Sequence, residues 1–276
     1  MLKHLDINQN IPQLDEFLKL NFRICKKIMK NKIIVVRNVK NPKISVIIPT
    51  LNEEKYIEKT LLSLKAQTIK VPYEIIVVDS NSKDKTVEIA RKYADKVIVT
   101  KRRGIAVGRN VGAKYARGEI LVFVDADTVL LPNVLEKAYN EIKNRDVSLV
   151  SCPIVPMTPS LLLHLMYRFY NQFSTSSIKF GRPQISGMFM VTKKSIFDAV
   201  SGFDEKLKIL EDFDFSEKVS KFGKVKMITD TFVLTSPRRL EKWGKVKSAI
   251  NYVFWIYFPY LFAKKDIGWK IYKPIR

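Results

Sequence analysis

The sequence predicts an α/β protein built on a doubly wound, mostly parallel sheet with helices on both faces. Two observations predict this fold. Apolar strand-like runs alternate with amphipathic helical stretches from Ile44 onward. One run, Ile120–Val124, is apolar throughout and leads directly into Asp125 and Asp127. Such a run is typical of a strand buried on both faces, and acids that follow it lie at the sheet edge where ligands bind.

Size and composition narrow the classes of protein. A chain of 276 residues with a net charge of +22 fits one large domain and suggests a polyanionic partner, although a lysine-rich solvated surface would have the same charge. Cys25 and Cys152 lie in apolar surroundings and are predicted to be reduced, as in a cytosolic protein. Only two histidines, His4 and His164, occur, which argues against a histidine-based zinc site or a Ser-His triad.

Residues 1–43 are predicted to form a basic helical extension, with ten Lys or Arg against three Asp or Glu. Apolar residues between Leu14 and Ile28 recur at helical spacing, which predicts an amphipathic helix. A short strand, Ile33–Val36, follows it. Asn41-Pro42 marks the boundary to the main domain, residues 44–236.

Within the main domain, the first half reads as a regular alternation of strands and helices. The predicted strands are Ile44–Ile48, Glu74–Val78, Lys96–Val99 and Ile120–Val124. Helices are predicted from Asn52 through Leu64, around Val87–Ala94, over 105–117 and over 133–143.

The second half of the domain is less regular. Further strands are predicted at Val147–Val155, Ser186–Met190 and Val225–Thr229, and a helix begins at Glu211-Asp212. The aromatic-rich stretch 160–180 indicates an amphipathic helix or a lid against an apolar ligand, with core packing as the alternative.

Four acids follow strands or begin a helix on the predicted sheet edge: Asp79, Asp125, Asp127 and Asp212. Acids gathered at one edge repel one another unless a cation or a donor-rich ligand lies there. A hard divalent metal with a diphosphate meets that requirement, since Mg²⁺ takes one or two protein carboxylates and completes its shell with phosphate and water. Taken singly, each of these acids also fits a turn or a helix N-terminus.

Six motifs in order give a resemblance to a known family. They are Ser45–Glu53, Ile76–Ser80, Gly108–Ala113 with Gly118, Asp125-Ala-Asp127, Gly202–Glu205 and Glu211-Asp212. In this order and at these spacings the chain resembles a family 2 glycosyltransferase of the GT-A fold, from residue 44 to about residue 236.

The resemblance implies a nucleotide-sugar site and assigns roles by position. Pro49, Thr50 and Glu53 would line the nucleotide pocket, Asp79 would recognise the edge of the base, and Arg109 would lie near the donor. Asp125 would approach the ribose or the metal, Asp127 would coordinate Mg²⁺ or Mn²⁺, and Asp212 would be the general base, with Asp214 as its rival. The donor would be a UDP- or GDP-linked sugar.

Two basic clusters are candidate phosphate contacts. Arg238 and Arg239 follow the domain and could grip a diphosphate or an acceptor phosphate, or form a solvated turn. Lys101–Arg103 could likewise contact a phosphate or form a solvated basic turn. Processive members of the family carry Gln-x-x-Arg-Trp here, whereas this chain reads Ser236-Pro-Arg-Arg-Leu-Glu-Lys-Trp243, which favours transfer of a single sugar.

The segment 237–276 is basic and contains the apolar-aromatic stretch Ile250–Phe262, bounded by lysines. This stretch is too short to span a bilayer, which takes about 20 residues. Aromatic residues with flanking cations suit the membrane interface, so we expect an amphipathic helix lying on the inner face of the cell membrane. A buried core helix or a dimer contact is the alternative.

Together these observations predict an inverting, metal-dependent transferase that moves one sugar to a lipid-linked or glycan acceptor at the cytoplasmic membrane face. A soluble transferase acting on protein or a small molecule is the nearest alternative. Nucleic acid is not an expected partner, because no helix-turn-helix or aromatic RNA-binding motif accompanies the charge. A sugar-phosphate nucleotidyltransferase would need a glycine-rich loop where this chain has Pro49–Glu53.

Overall fold

The computed structural model describes residues 31–238 and residue 241. Three features predicted from sequence therefore lie outside the described residues: the N-terminal amphipathic helix, Arg239 and the stretch Ile250–Phe262. The predicted strand near residue 33 is present as β1, Lys32–Val35, and pairs antiparallel with β4 of the main sheet.

The described residues form an eight-stranded main sheet and a three-stranded second sheet. The main sheet has the order β1-β4-β3-β2-β5-β9-β7-β10, and the second has the order β6-β11-β8. The remaining strands are β2 Ile44–Thr50, β3 Tyr73–Asp79, β4 Lys96–Val99, β5 Ile120–Val124, β6 Thr128–Leu130, β7 Val147–Ser151, β8 Ile154–Pro156, β9 Phe189–Lys193, β10 Lys224–Met227 and β11 Val233–Thr235. Strands β4, β3, β2 and β5 run parallel, and β9 is antiparallel to both of its neighbours.

Helices cover both faces of the main sheet, as predicted. They are α1 Ile57–Lys65, α2 Thr86–Tyr93, α3 Ile105–Tyr115, α4 Val134–Ile142, α5 Leu161–Lys179, α6 Lys194–Ala199 and α7 Glu211–Val219. Alternate residues of β5 point to opposite faces: Val122 packs with α1, α4 and α5, while Phe123 packs with α3, α6 and α7. The central strands are thus buried on both faces, which explains their uninterrupted apolar sequence.

Proline positions explain two differences from the predicted strands. Strand β2 continues through Pro49 to Thr50, because its pairing with β5 ends at Ile47 and no hydrogen bond to that neighbour is lost at the proline. The predicted strand Val147–Val155 is instead two strands. Pro153 interrupts it, so that β7 belongs to the main sheet and β8 to the second.

Other boundaries shift by a few residues. The first helix begins at Ile57 rather than Asn52, because Asn52 adopts a left-handed backbone with φ of 55° that a helix cannot include. Strand β9 begins at Phe189, and residues 187–188 form a turn. Along the described chain, none of the helices is both long enough and apolar enough to cross a bilayer.

Candidate active site

The candidate site lies at the carboxyl edge of the main sheet, where β2, β3 and β5 end side by side. Thr50 and Asp79 are paired across β2 and β3, and Asp125 follows β5 directly. Parallel neighbours end at the same edge, so this part of the predicted cluster follows from strand order. Thr50, Asp79 and Asp125 therefore lie together at this edge of the sheet, as the sequence predicts.

Asp79 is completely buried and already bonded within the protein. Its Oδ1 accepts from the Thr50 hydroxyl at 3.2 Å, and its Oδ2 accepts from the Ser82 amide at 2.8 Å. The Ser82 hydroxyl also donates to Oδ1. A carboxylate has about four acceptor positions. A base contact at Asp79 would therefore use the remaining position or displace Ser82.

The loops after β2 and β3 are joined to each other by hydrogen bonds. The Asn52 amide donates to the Ser82 hydroxyl at 2.8 Å, and the Glu53 amide donates to the Thr86 hydroxyl at 2.7 Å. The Asn52 side chain accepts from the Lys83 amide at 2.9 Å. Because the two loops form one bonded unit, Glu53 is held over the same edge as Asp79.

Arg238 lies in the site between Glu53 and Asp127. Its Nη2 is 2.7 Å from Glu53 Oε1 and 3.2 Å from Asp127 Oδ2, and its guanidinium stacks on Tyr56 with Cζ 4.5 Å from the ring centre. Burial alone would lower the pKa of Arg238, but the bond to Glu53 and the charge of Asp127 raise it on balance. This arginine is therefore part of the site and not a solvated turn.

The second sheet explains how Arg238 reaches Asp127. Strand β6 follows Asp127 directly and pairs antiparallel with β11, which ends three residues before Arg238. The Ser236 amide also donates to the Asp127 carbonyl at 3.2 Å. This pairing places the residues after β11, including Arg238, next to the turn Asp125–Asp127.

Arg109 lies beneath the site rather than facing a ligand. Only 1% of its side chain is exposed, and it donates to three acceptors: Glu211 Oε1 at 2.9 Å, Asp125 Oδ1 at 3.0 Å and the Gly187 carbonyl at 3.1 Å. Burial opposes its charged form, yet Asp125 and Glu211 raise the pKa of Arg109 overall. The structure thus gives Arg109 a positioning role for Asp125 and Glu211, and its nearness to the donor stays a prediction.

The glycines around Arg109 serve close packing between helix and sheet. A Cβ on Gly108 would lie 2.8 Å from Pro49 Cβ, and one on Gly112 would lie 2.3 Å from Ile47. Both contacts are too short, so α3 can approach β2 only with glycine at these positions. This close approach places Arg109 against the end of β5.

Asp212 lies at the start of α7 and is half-buried. Its Oδ2 accepts from the Gly187 amide at 2.7 Å, and burial raises its pKa although Arg109 and the Gly187 amide oppose the rise. Burial and the adjacent charge of Asp212 also raise the pKa of Glu211 to about 7. A carboxylate with a raised pKa is a better base near neutral pH. The rival Asp214 is paired instead with Lys218, at 2.7 Å along the same helix.

Two features of the site have no counterpart among the predicted residues. Glu211 forms the buried ion pair with Arg109, and the backbone of Gly187 bonds both Arg109 and Asp212. A Cβ on Gly187 would lie 2.0 Å from Arg109 Nη2, so an alanine there would have to displace the guanidinium from its acceptors. The signal in the sequence is the isolated glycine of Ser186-Gly187 just before an apolar strand.

The remaining predicted motifs hold the frame around the site. In the Gly202–Glu205 turn, the Phe203 amide donates to Asn110 Oδ1 at 2.9 Å, and the Asn110 amide group returns a bond to the Phe203 carbonyl at 2.8 Å. Within the Lys101–Arg103 cluster, Arg102 is paired with Glu205. Arg102 is thus held by an acid within the protein, and a phosphate contact by Lys101–Arg103 stays a prediction.

The residues present fit a divalent ion bound jointly with a diphosphate. No group of three or more metal-ligating side chains occurs in the described ranges, so the protein alone offers no complete shell. Mg²⁺ needs only one or two carboxylates when phosphates supply the rest. Asp127 faces the Arg238 cation, and Glu53 Oε2 beside it is buried without a hydrogen-bond partner. Each aspartate faces an arginine, Asp125 the buried Arg109 and Asp127 the less buried Arg238, so Asp127 as the main metal ligand stays a prediction.

Comparison with known proteins agrees with this geometry. Residues 45–201 match the family described as glycosyl transferase family 2. An uncharacterized glycosyltransferase of Rickettsia typhi is 31% identical over 199 residues, which are 68% of this chain and 62% of that protein. The poly(ribitol-phosphate) β-N-acetylglucosaminyltransferase TarS of Staphylococcus aureus is 41% identical over 103 residues, 35% of this chain and 18% of TarS. The chain thus spans about three fifths of the first relative and under a fifth of the second.

Solved structures share the fold. The mannosyltransferase PcManGT from Pyrobaculum calidifontis, in complex with GDP-Man and Mn²⁺, superposes with a TM-score of 0.61 at 22% identity, covering 87% of this chain and 72% of that one. Residues 1–349 of TarS in complex with UDP-GlcNAc give a TM-score of 0.56 at 25% identity, covering 70% and 58%. The predicted GT-A fold is confirmed.

Proposed function

Because this chain belongs to glycosyl transferase family 2, we propose that it transfers one sugar from a nucleotide-diphosphate sugar to an acceptor, with inversion at the anomeric carbon. The observation that carries the proposal is the arrangement at one sheet edge. A donor side with Glu53, Asp127 and Arg238 is separated from the half-buried Asp212 by the buried Arg109 network.

The donor side has the chemistry to hold a nucleoside diphosphate. Arg238 offers a planar cation that matches phosphate oxygens, and Pro49, Thr50 and Glu53 line the same edge. We assign the contact with the nucleobase to Asp79, through the carboxylate acceptor position that the hydrogen bonds from Thr50 and Ser82 do not use. A divalent ion, Mg²⁺ or Mn²⁺, held by Asp127 with Asp125 beside it would supply positive charge opposite the leaving diphosphate.

Asp212 is assigned as the general base. The Gly187 amide fixes one carboxylate oxygen, and burial raises the pKa of the group toward the range in which it can take a proton from a hydroxyl. As the acceptor oxygen attacks the anomeric carbon, its proton passes to Asp212 and the carbon–oxygen bond to the diphosphate breaks. One displacement of this kind inverts the configuration.

The acceptor is proposed to be lipid-linked or another glycan at the cytoplasmic face of the cell membrane. The net charge of +22 and the basic, aromatic segment 237–276 support attraction to an anionic surface. In this proposal 1–43 is an extension, 44–236 is the transferase domain and 237–276 is a membrane-interfacial segment. UDP- and GDP-linked donors both remain candidates, since TarS and PcManGT are described with one of each.

Donor binding can be tested without turnover. A panel of UDP- and GDP-linked sugars with Mn²⁺ is scored by the rise in melting temperature of the wild type, of Asp127→Asn and of Asp146→Asn. Asp146 is a matched control, because its side chain is 72% exposed and belongs to a surface ion pair with Lys224. We expect one donor to stabilise the wild type and the control but not Asp127→Asn. If no donor distinguishes Asp127→Asn from the wild type, the proposal fails.

The assignment of the general base is tested with two neighbouring aspartates, Asp212 and Asp214. Once a donor is found, Asp212→Asn should keep donor binding and lose about 10²- to 10⁴-fold in the rate of donor turnover. Asp214→Asn, two residues away, should keep both, because Asp214 is paired with Lys218. Loss of turnover in Asp214→Asn with retention in Asp212→Asn would assign the base to Asp214 instead.

A further inference from the structure

Helix α5 exposes an apolar stripe along its outer face. The stripe consists of Leu162, Leu165 and Phe169 on the helix and Phe180 directly after it; the last three side chains are 54%, 46% and 83% exposed. At about 100° per residue these positions fall on one side of the helix. Single exposed apolar residues are ordinary, but a contiguous patch of this kind marks a contact surface.

The opposite side of α5 completes the core. Leu163, Tyr167, Tyr170 and Ser174 are buried there. Asn171 also anchors the helix, since its side chain bonds both the amide and the carbonyl of Ile154. The orientation of α5 is therefore fixed by its inner face.

The charged residues on α5 and directly after it are all basic. Arg168 and Lys179 lie along one edge of it and are exposed. Arg182 follows, 61% exposed, with Glu217 at 3.9 Å as a loose partner. No Asp or Glu occurs from Val147 through Phe197. Apolar and aromatic side chains flanked by cations, with no acid between them, complement an anionic lipid surface better than a protein surface of mixed charge.

We propose that the outer face of α5 rests on an anionic bilayer, with the Leu165 and Phe169 side chains at the acyl boundary and Arg168 and Lys179 among the head groups. This contact deepens the proposed function, on which its purpose rests, since it would bring a lipid-linked acceptor to the domain. It is a second membrane contact, inside the transferase domain and separate from the segment 237–276.

The inner face of α5 connects the stripe to the site. Tyr170, next to Phe169, is buried close enough to Asp212 for the negative charge of that aspartate, after burial itself, to raise the pKa of the phenol. With α5 on the membrane, a lipid-linked acceptor would approach the domain on the side where the inner face of α5 and Asp212 lie.

The test measures vesicle binding by the whole 276-residue chain. Co-sedimentation is compared between vesicles of phosphatidylcholine alone and vesicles that also contain phosphatidylserine. The variant carries Leu165→Glu and Phe169→Glu together. The matched control is Leu62→Glu with Ile33→Glu, which introduces the same two charges at apolar residues on α1 and β1 that are 47% and 42% exposed. We expect the double variant to bind anionic vesicles at least about tenfold more weakly than the wild type, and the control to bind like the wild type.

Three results would overturn the proposal. In the first, the double variant binds vesicles like the wild type. In the second, the control loses vesicle binding as much as the double variant does. In the third, the double variant changes only the oligomeric state or only the melting temperature, which would show that a second copy, or residues 250–262 of the same chain, cover the stripe. Donor-induced thermal shifts of the same variants are measured separately. A protein that binds vesicles through α5 but binds no nucleotide sugar would refute the proposed function and leave this contact standing.

Discussion

Replacing Glu211 by glutamine should change how the stability of the fold depends on pH. Burial, with the neighbouring charge of Asp212, raises the pKa of Glu211 from 4.5 to about 7, although Arg109 opposes the rise. Between these two values the unfolded chain has lost this proton and the folded chain keeps it. The folded state then binds more protons, so the free energy of unfolding falls as pH rises from about 4.5 to about 7.

The size of the effect follows from the two pKa values. A difference of about 2.5 between them corresponds to about 3 kcal/mol, at about 1.36 kcal/mol for each unit of pKa. The amide introduced by Glu211→Gln cannot ionise, yet its oxygen can still accept from Arg109 Nη1, as the Glu211 carboxylate does at 2.9 Å. The substitution therefore removes the pH-dependent part and keeps the hydrogen bond.

Urea unfolding followed by circular dichroism at several pH values between 4.5 and 8 measures this. The stability of the wild type minus that of Glu211→Gln should decrease by about 3 kcal/mol across the range. Glu119→Gln is the control, because the Glu119 side chain is 77% exposed. Parallel curves for wild type and Glu211→Gln would refute the claim that burial raises the pKa of this carboxyl in the fold.

Two further substitutions probe the frame of the site. Gly187→Ala should destabilise the fold by about 2–3 kcal/mol and weaken donor turnover, because the new Cβ would lie 2.0 Å from Arg109 Nη2; a melting temperature equal to that of the wild type would contradict this packing. Thr60→Val should cost about 1–2 kcal/mol in chemical denaturation, since the buried Thr60 hydroxyl donates to the Ala126 carbonyl at 2.8 Å and valine leaves that carbonyl unpaired. An unchanged free energy of unfolding in Thr60→Val would show that this bond does not stabilise the Asp-Ala-Asp turn.

The edge of the sheet could be predicted because it depends on local patterns. Apolar runs identify β2, β3 and β5 as strands, and parallel strands place Thr50, Asp79 and Asp125 together whatever the details of packing. For these three residues, the position of each just after a predicted strand is enough to predict that they lie together.

The partners of the charged residues could not be predicted in the same way. Arg238 reaches Asp127 through β6 and β11, and strands of three residues carry no periodic signal. The sequence likewise cannot show that Arg109 is buried, since an arginine within a helix is usually exposed. The closest hint is the pair Gly108 and Gly112, which indicate that α3 approaches β2 closely.

The buried bridge from Arg109 to Glu211 also determines how much of the chain must fold together. It joins residues 102 positions apart in the sequence. The ring contacts of Phe123 with Phe203 and Phe215 likewise join residues that are far apart along the chain. A chain that stopped at residue 201, where the family match ends, would bury a guanidinium with half of its counter-charge missing. The cooperative unit is therefore longer than residues 45–201, because the first half of the domain shares its buried charges with α7.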